Sequence, residues 1–175
     1  MKVFGFAGFS GSGKTTLIEA LIPRFVMEGL RVSLIKHAHH EFDIDRPGKD
    51  SYRHREAGAT EVMLASAKRW VLMHELRTER EPELQQLIER FAPCDLVLVE
   101  GFKRQPIPKI EIHRTAAAKP LLFRHDEHII AIATDEPLDT FLPQFALEDY
   151  DAIAEFILLH LELGGQAPHV CSGIT

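Results

Sequence analysis

The chain has 175 residues, a formal net charge of −6 with histidines neutral, and 45% hydrophobic and 26% charged residues. That length predicts one domain, 1–175, with a core of its own. The acidic balance argues against a general nucleic-acid or membrane-surface binder, and no apolar run approaches the roughly 18 residues of a membrane span.

The first predicted element is a strand over Lys2–Ala7. Gly8-Phe9-Ser10-Gly11-Ser12-Gly13-Lys14-Thr15 follows and matches G-x-x-x-x-G-K-[ST], the phosphate-binding P-loop. A helix-period apolar stripe, Leu17, Ile18, Leu21, Ile22, Phe25 and Val26, comes next, so the strand–loop–helix context of the motif is present. The chemistry is mostly backbone: glycines let successive N–H groups turn inward as an anion nest, and the helix N-terminus adds partial positive charge. Lys14 would reach the outer phosphates and the Thr15 hydroxyl would hold Mg²⁺. Pro23 removes a donor and is expected to kink this helix, and Gly29 is a plausible cap at its end.

Arg31–Lys36 reads as a second strand, and βαβ with short links argues for a mostly parallel sheet between helices. The loop from His37 to Lys49 carries three histidines, acids and Arg46; it can face a ligand, sit in solvent or hold a metal. A short helix is predicted over Asp50–Ala57, stopping at Gly58. Glu61–Ala65 and Arg69–His74, joined by Ser66-Ala67-Lys68, read as an added β-hairpin. A helical pattern covers Thr78–Phe91.

Leu96–Val99 is a continuous apolar run suited to a buried central strand. It ends in Glu100-Gly101, where a carboxylate has no packing reason to sit. Glu100 is therefore the candidate for the acid that P-loop enzymes place near Mg²⁺, and Gly101 allows close approach to phosphate. The alternation in Lys109–His113 suits an exposed or edge strand, and His128–Ala133 reads as a buried strand. Asp135 just after it can read guanine through two carboxylate oxygens, or mark a turn or helix start. A final amphipathic helix covers Asp149–Leu161, and the tail after Gly164 is expected to fray. Cys94 and Cys171 lack metal-ligand spacing and read as reduced thiols in a cytoplasmic protein.

The P-loop, Leu34-Ile35-Lys36-His37-Ala38-His39-His40, Asp45-Arg46-Pro47-Gly48-Lys49-Asp50-Ser51 and Leu98-Val99-Glu100-Gly101-Phe102-Lys103 together resemble the MobB family of molybdopterin-guanine dinucleotide biosynthesis adaptors. The resemblance spans nearly the whole chain. It implies a P-loop NTPase fold, a three-layer α/β sandwich, that binds GTP and Mg²⁺, hydrolyses GTP weakly and forms homodimers. It also implies work beside a MobA-type guanylyltransferase, with molybdopterin and a molybdoenzyme or its chaperone as further partners. Carried over by residue, Lys14, Glu100 and Asp45 are the candidate catalytic groups. The candidate nucleotide-binding set is Gly8, Ser10, Gly11, Ser12, Gly13, Lys14, Thr15, Thr16, His37, His39, Lys49, Gly101 and Asp135, with Thr15 and Glu100 toward metal. Two other readings stay open: a small-molecule kinase on the same core, and a metallochaperone whose histidine loop carries metal.

Overall fold

The structure, a computed structural model, describes residues 1–38 and 42–164. In chain order the elements are β1 (Lys2–Ala7), α1 (Lys14–Met27), β2 (Val32–Lys36), α2 (Asp50–Glu56), β3 (Glu61–Ala65), β4 (Trp70–His74), α3 (Leu84–Ile88), β5 (Leu96–Glu100), β6 (Lys109–His113), β7 (Ile129–Thr134), β8 (Gln144–Ala146) and α4 (Tyr150–His160). The chain divides into two compact units, one made of Met1–His37 and the chain from Leu84 onward, the other Ala38–Glu83.

The first unit is built on a six-stranded sheet in the order β2-β5-β1-β6-β7-β8, with every neighbouring pair parallel. Strands covered on both faces read as near-continuous apolar runs, and β5 and β7 do so. On one face Phe4, Phe6, Leu96, Leu98, Ile110 and Ile112 pack under Leu17, Ile18, Leu21 and Phe25 of α1 and Ile153 and Ile157 of α4. On the other face Val97, Val99 and Ile35 meet Leu84 and Ile88 of α3. Full burial of each large apolar side chain is worth about 1.5–3 kcal/mol. That packing carries α1 through Pro23 without a break in the helix, and Arg24 Nη1 donates to the Ala20 carbonyl one turn back at 2.8 Å.

β6 corrects the expectation of an exposed or edge strand. It lies between β1 and β7, and Lys109 and Glu111 are 1% exposed. Its alternation arises because one face meets the apolar core while the other is covered by loop backbone. Glu111 accepts from the Leu122 and Phe123 N–H groups at 2.8 Å each. Lys109 Nζ donates to Asp126 Oδ2 at 2.6 Å and to the Lys103 carbonyl at 3.3 Å. The predicted helix over Thr78–Phe91 shrinks to α3, because Pro82 disfavours helical backbone at Glu81. The edge strand β8 was not expected; its three residues, just after Pro143, carry too short a pattern to read.

The second unit holds α2 and the antiparallel β3–β4 hairpin. Ser66 closes the hairpin: its N–H donates to the Arg69 carbonyl at 2.9 Å, and its hydroxyl oxygen accepts from the Lys68 and Arg69 amides. Arg55 of α2 gathers Asp43, Asp45 and Glu75 around one guanidinium at 2.6–2.9 Å.

Candidate functional site

The phosphate loop curls tightly as it leaves β1. Gly8 has φ +150°, and a Cβ there would lie 2.6 Å from the Ile112 carbonyl oxygen and 2.7 Å from Ser12 Oγ. Only glycine fits that passage. Ser12 is buried, and its hydroxyl has no hydrogen-bond partner among the described residues. α1 starts at Lys14 with no side-chain cap and no acidic residue in its first turn. Its N–H groups are therefore left for an outside acceptor. The Lys14 ammonium folds back to donate to the Gly8 carbonyl at 3.1 Å and the Phe9 carbonyl at 2.8 Å. Burial pulls its pKa down; Glu100 opposes that, while Lys103 and Lys36 add to it. Ser10, Gly11 and Thr16 are exposed.

Glu100 ends β5 beside β1 and β2, where the sheet brings it to the start of α1. The Thr15 hydroxyl donates to Glu100 Oε1 at 3.1 Å. A hydroxyl and a carboxylate oxygen side by side are hard donors of the kind Mg²⁺ takes alongside waters and phosphate oxygens. With the buried Ser12 hydroxyl and the uncapped helix start, the residues present fit a Mg²⁺–nucleotide pair. Gly101 has φ +96°, and a Cβ on it would lie 2.9 Å from His37 Cβ. That close approach lets the turn after β5 pass under His37, whose ring packs on Phe102 at 4.5 Å between centroids.

Other basic groups gather here without having been singled out from the sequence. The Lys103 ammonium lies 4.5 Å and the Lys119 ammonium 6.0 Å from the Phe9 ring centroid. Arg114 Nε donates to the Ser12 carbonyl at 3.2 Å. Lys103 was readable as the end of the Glu100-Gly101-Phe102-Lys103 stretch. Arg114 and Lys119 lie far along the chain with no motif to mark them.

Asp135 follows β7 and is engaged: its Oδ1 accepts from the Thr115 N–H at 2.9 Å and the Thr115 hydroxyl at 3.0 Å. These bonds, the backbone one first, hold its pKa below the usual carboxylate value. The pair ties the loop after β6 to the end of β7, and reading guanine with both oxygens would require giving up the Thr115 contacts. Asp45 and Lys49 belong to the second unit. Asp45 is held by Arg55 through two hydrogen bonds, at 3.2 and 2.6 Å, and its pKa is lowered chiefly by that contact. Lys49 precedes α2 as its N-cap, and Asp50 opens the helix. His39 and His40 lie outside the described residues. Among the described residues no group of three or more His, Cys, Asp or Glu side chains is placed to hold a metal ion. A groove lined by Met27, Asp151, Leu158 and Leu159 contains none of the candidate site residues.

A parallel sheet with helices on both faces and a glycine-rich loop between β1 and α1 defines an α/β protein of the P-loop NTPase class. The comparisons narrow this further. The family model for molybdopterin guanine dinucleotide synthesis protein B, MobB, matches residues 3–135. The molybdopterin-guanine dinucleotide biosynthesis adapter protein of Haemophilus influenzae is 46% identical, over 90% of this chain and 88% of its own. That of Escherichia coli is 44% identical, over 90% and 92%. A crystal structure of molybdopterin-guanine biosynthesis protein B superposes with a TM-score of 0.73 at 30% identity, covering 91% of this chain and 99% of that one. Bacillus subtilis MobB does so with 0.71 at 28% identity, over 92% and 98%. The chain belongs to the MobB family, the adapter proteins of molybdopterin-guanine dinucleotide biosynthesis.

Proposed function

We propose that the chain binds GTP with Mg²⁺ at the loop Gly8–Thr15, hydrolyses it slowly, and assists a MobA-type guanylyltransferase that forms molybdopterin guanine dinucleotide. The observation that carries this reading is the Thr15 hydroxyl set 3.1 Å from the Glu100 carboxylate at the mouth of the loop. Nothing in core packing calls for a carboxylate there. Lys14 and the first-turn N–H groups of α1 receive the phosphates, Thr15 and Glu100 hold the metal or its water, and Lys103 and Arg114 add positive charge at the rim. When bound, Mg²⁺ would neutralise charge on the phosphate oxygens. The protein works in the cytoplasm and as a homodimer. The β3–β4 hairpin supports the dimer, because Met63, Leu72 and Trp70 are exposed on one of its faces.

Titration calorimetry with GTP, with and without Mg²⁺, tests the site. Lys14→Ala should abolish binding, and Thr15→Ala should lose the Mg²⁺ dependence more than the affinity for free nucleotide. Unchanged binding in the lysine variant would sink the assignment. Co-purification with a MobA-type partner, with and without GTP, tests the adapter role.

A further inference from the structure

Lys36 carries a role that motif reading does not assign. It ends the edge strand β2, and the parallel register sets it directly beside Glu100. Its ammonium lies 3.4 Å from Glu100 Oε1 and 3.4 Å from Thr15 Oγ1. These are the two oxygens that a metal ion would need. The Thr15 hydroxyl meanwhile donates to the same Glu100 oxygen. Lys36, Thr15 and Glu100 therefore form a closed triangle, with Lys36 as its cation.

We propose that Lys36 is a placeholder: its ammonium competes with a divalent cation for Thr15 Oγ1 and Glu100 Oε1, and it is displaced when a metal–nucleotide pair binds. Three physical reasons support this. The Glu100 side chain is 9% exposed, and a carboxylate so buried is costly unless a counter-charge stays beside it. The hydroxyl lone pair that accepts from Lys36 is the kind a metal coordinates, so the two compete for one oxygen. A divalent cation and an ammonium cannot both sit about 3 Å from the same atoms without strong repulsion. Lys36 is also the basic group suited to leaving. Its side chain is 56% exposed on a flexible stem, whereas Lys14 is tied to two loop carbonyls. The consequence is that Lys36 disfavours bare metal ions at these two oxygens, while metal that arrives with phosphate is admitted, because the phosphates give the displaced ammonium a new partner.

This inference rests on the reading of the loop as a Mg²⁺–GTP site, and its test separates the two. Mn²⁺ binding to nucleotide-free protein is measured by electron paramagnetic resonance for the wild type, Lys36→Met and Lys36→Gln. Both neutral variants should bind Mn²⁺ about tenfold or more tightly, the scale expected when one unit charge leaves contact with the site. Adding Glu100→Gln to either should return the affinity to the wild-type level or below. Nucleotide-free Lys36→Met should also melt at a lower temperature than the wild type, and Mn²⁺ should restore it. Equal or weaker Mn²⁺ binding in both neutral variants overturns the placeholder, as does a gain that survives Glu100→Gln. Calorimetry of the wild type with Mg²⁺–GTP forms the separate arm. Its failure removes the nucleotide reading and leaves the bare-metal result to be judged alone.

Discussion

At Gly101 one missing side chain decides the geometry of the site. A Cβ there would press to 2.9 Å from His37 Cβ, and φ is +96°. Gly101→Ala is expected to lower stability by about 1–3 kcal/mol, the scale of one residue held in a disfavoured backbone region. Urea unfolding measures this, and a loss below about half a kcal/mol would show that the turn relaxes freely. The neighbouring Glu100 tests chemistry instead of shape. Glu100→Gln keeps volume and removes charge. GTP should still bind while hydrolysis falls about 10²- to 10⁴-fold, the usual worth of one proton-transfer or orienting group. Wild-type turnover in single-turnover assays would reduce Glu100 to a strand-end carboxylate. The two substitutions separate because the first presses a Cβ on His37, whereas the second changes charge at nearly constant volume.

At the scale of elements, polar groups inside the sheet show what pattern reading reaches and where it stops. The apolar run of β5 and the stripe of α1 were legible, since burial on both faces and helical burial each leave a distinct period. The loop between β1 and α1 and the acid at the end of β5 were legible because clustered glycines and a carboxylate closing an apolar run both break the core periods. The place of β6 was not, because Lys-Ile-Glu-Ile-His alternates like a strand wetted on one face. Its wet face is in fact capped by loop backbone that needs Glu111 as an acceptor. Glu111→Ala strands two N–H groups and should lower stability by about 2–4 kcal/mol, whereas Glu111→Gln keeps one acceptor and should lose less. Equal losses in denaturant melts would show that the loop re-forms its bonds elsewhere. The hairpin carries a pH signature of its own. His74 faces Glu61 at 2.9 Å and Glu79 at 3.2 Å, and these bonds, Glu61 first, raise its pKa above the usual 6.5. A group whose folded pKa is raised contributes stability that is full below the unfolded value and fades as pH climbs through the folded one. Amide exchange of β3 and β4, corrected for intrinsic rates, should therefore quicken between pH 6.5 and the raised His74 value. A ring titration midpoint at or below 6.5 would remove the effect.

At the scale of the whole molecule, the proposed adapter role calls for a surface as well as a ligand site, and on that reading the two units would divide these tasks. The first carries the loop, Glu100 and the basic rim. The second carries a two-stranded hairpin, a motif that alone is marginal in water. Its β3–β4 register pairs Met63 with Leu72 and Ala65 with Trp70, so these four side chains share one face. Met63 and Trp70 are 61% and 68% exposed. A contiguous apolar face of that kind on a strand pair is the usual mark of an association surface. On the homodimer reading, this face is covered by a second copy. Met63→Lys together with Trp70→Glu replaces apolar contact with charge at two positions outside the Val62, Val71 and Met73 side of the hairpin. The double variant is expected to sediment as a monomer at concentrations where the wild type is a dimer. Because Lys14, Thr15 and Glu100 belong to the other unit, its affinity for Mg²⁺–GTP should stay within about twofold of the wild type, the additivity expected of sites that share no partners. A variant that sediments like the wild type would place the dimer contact elsewhere on the chain. One that loses dimer and nucleotide together would show that the two units do not act independently.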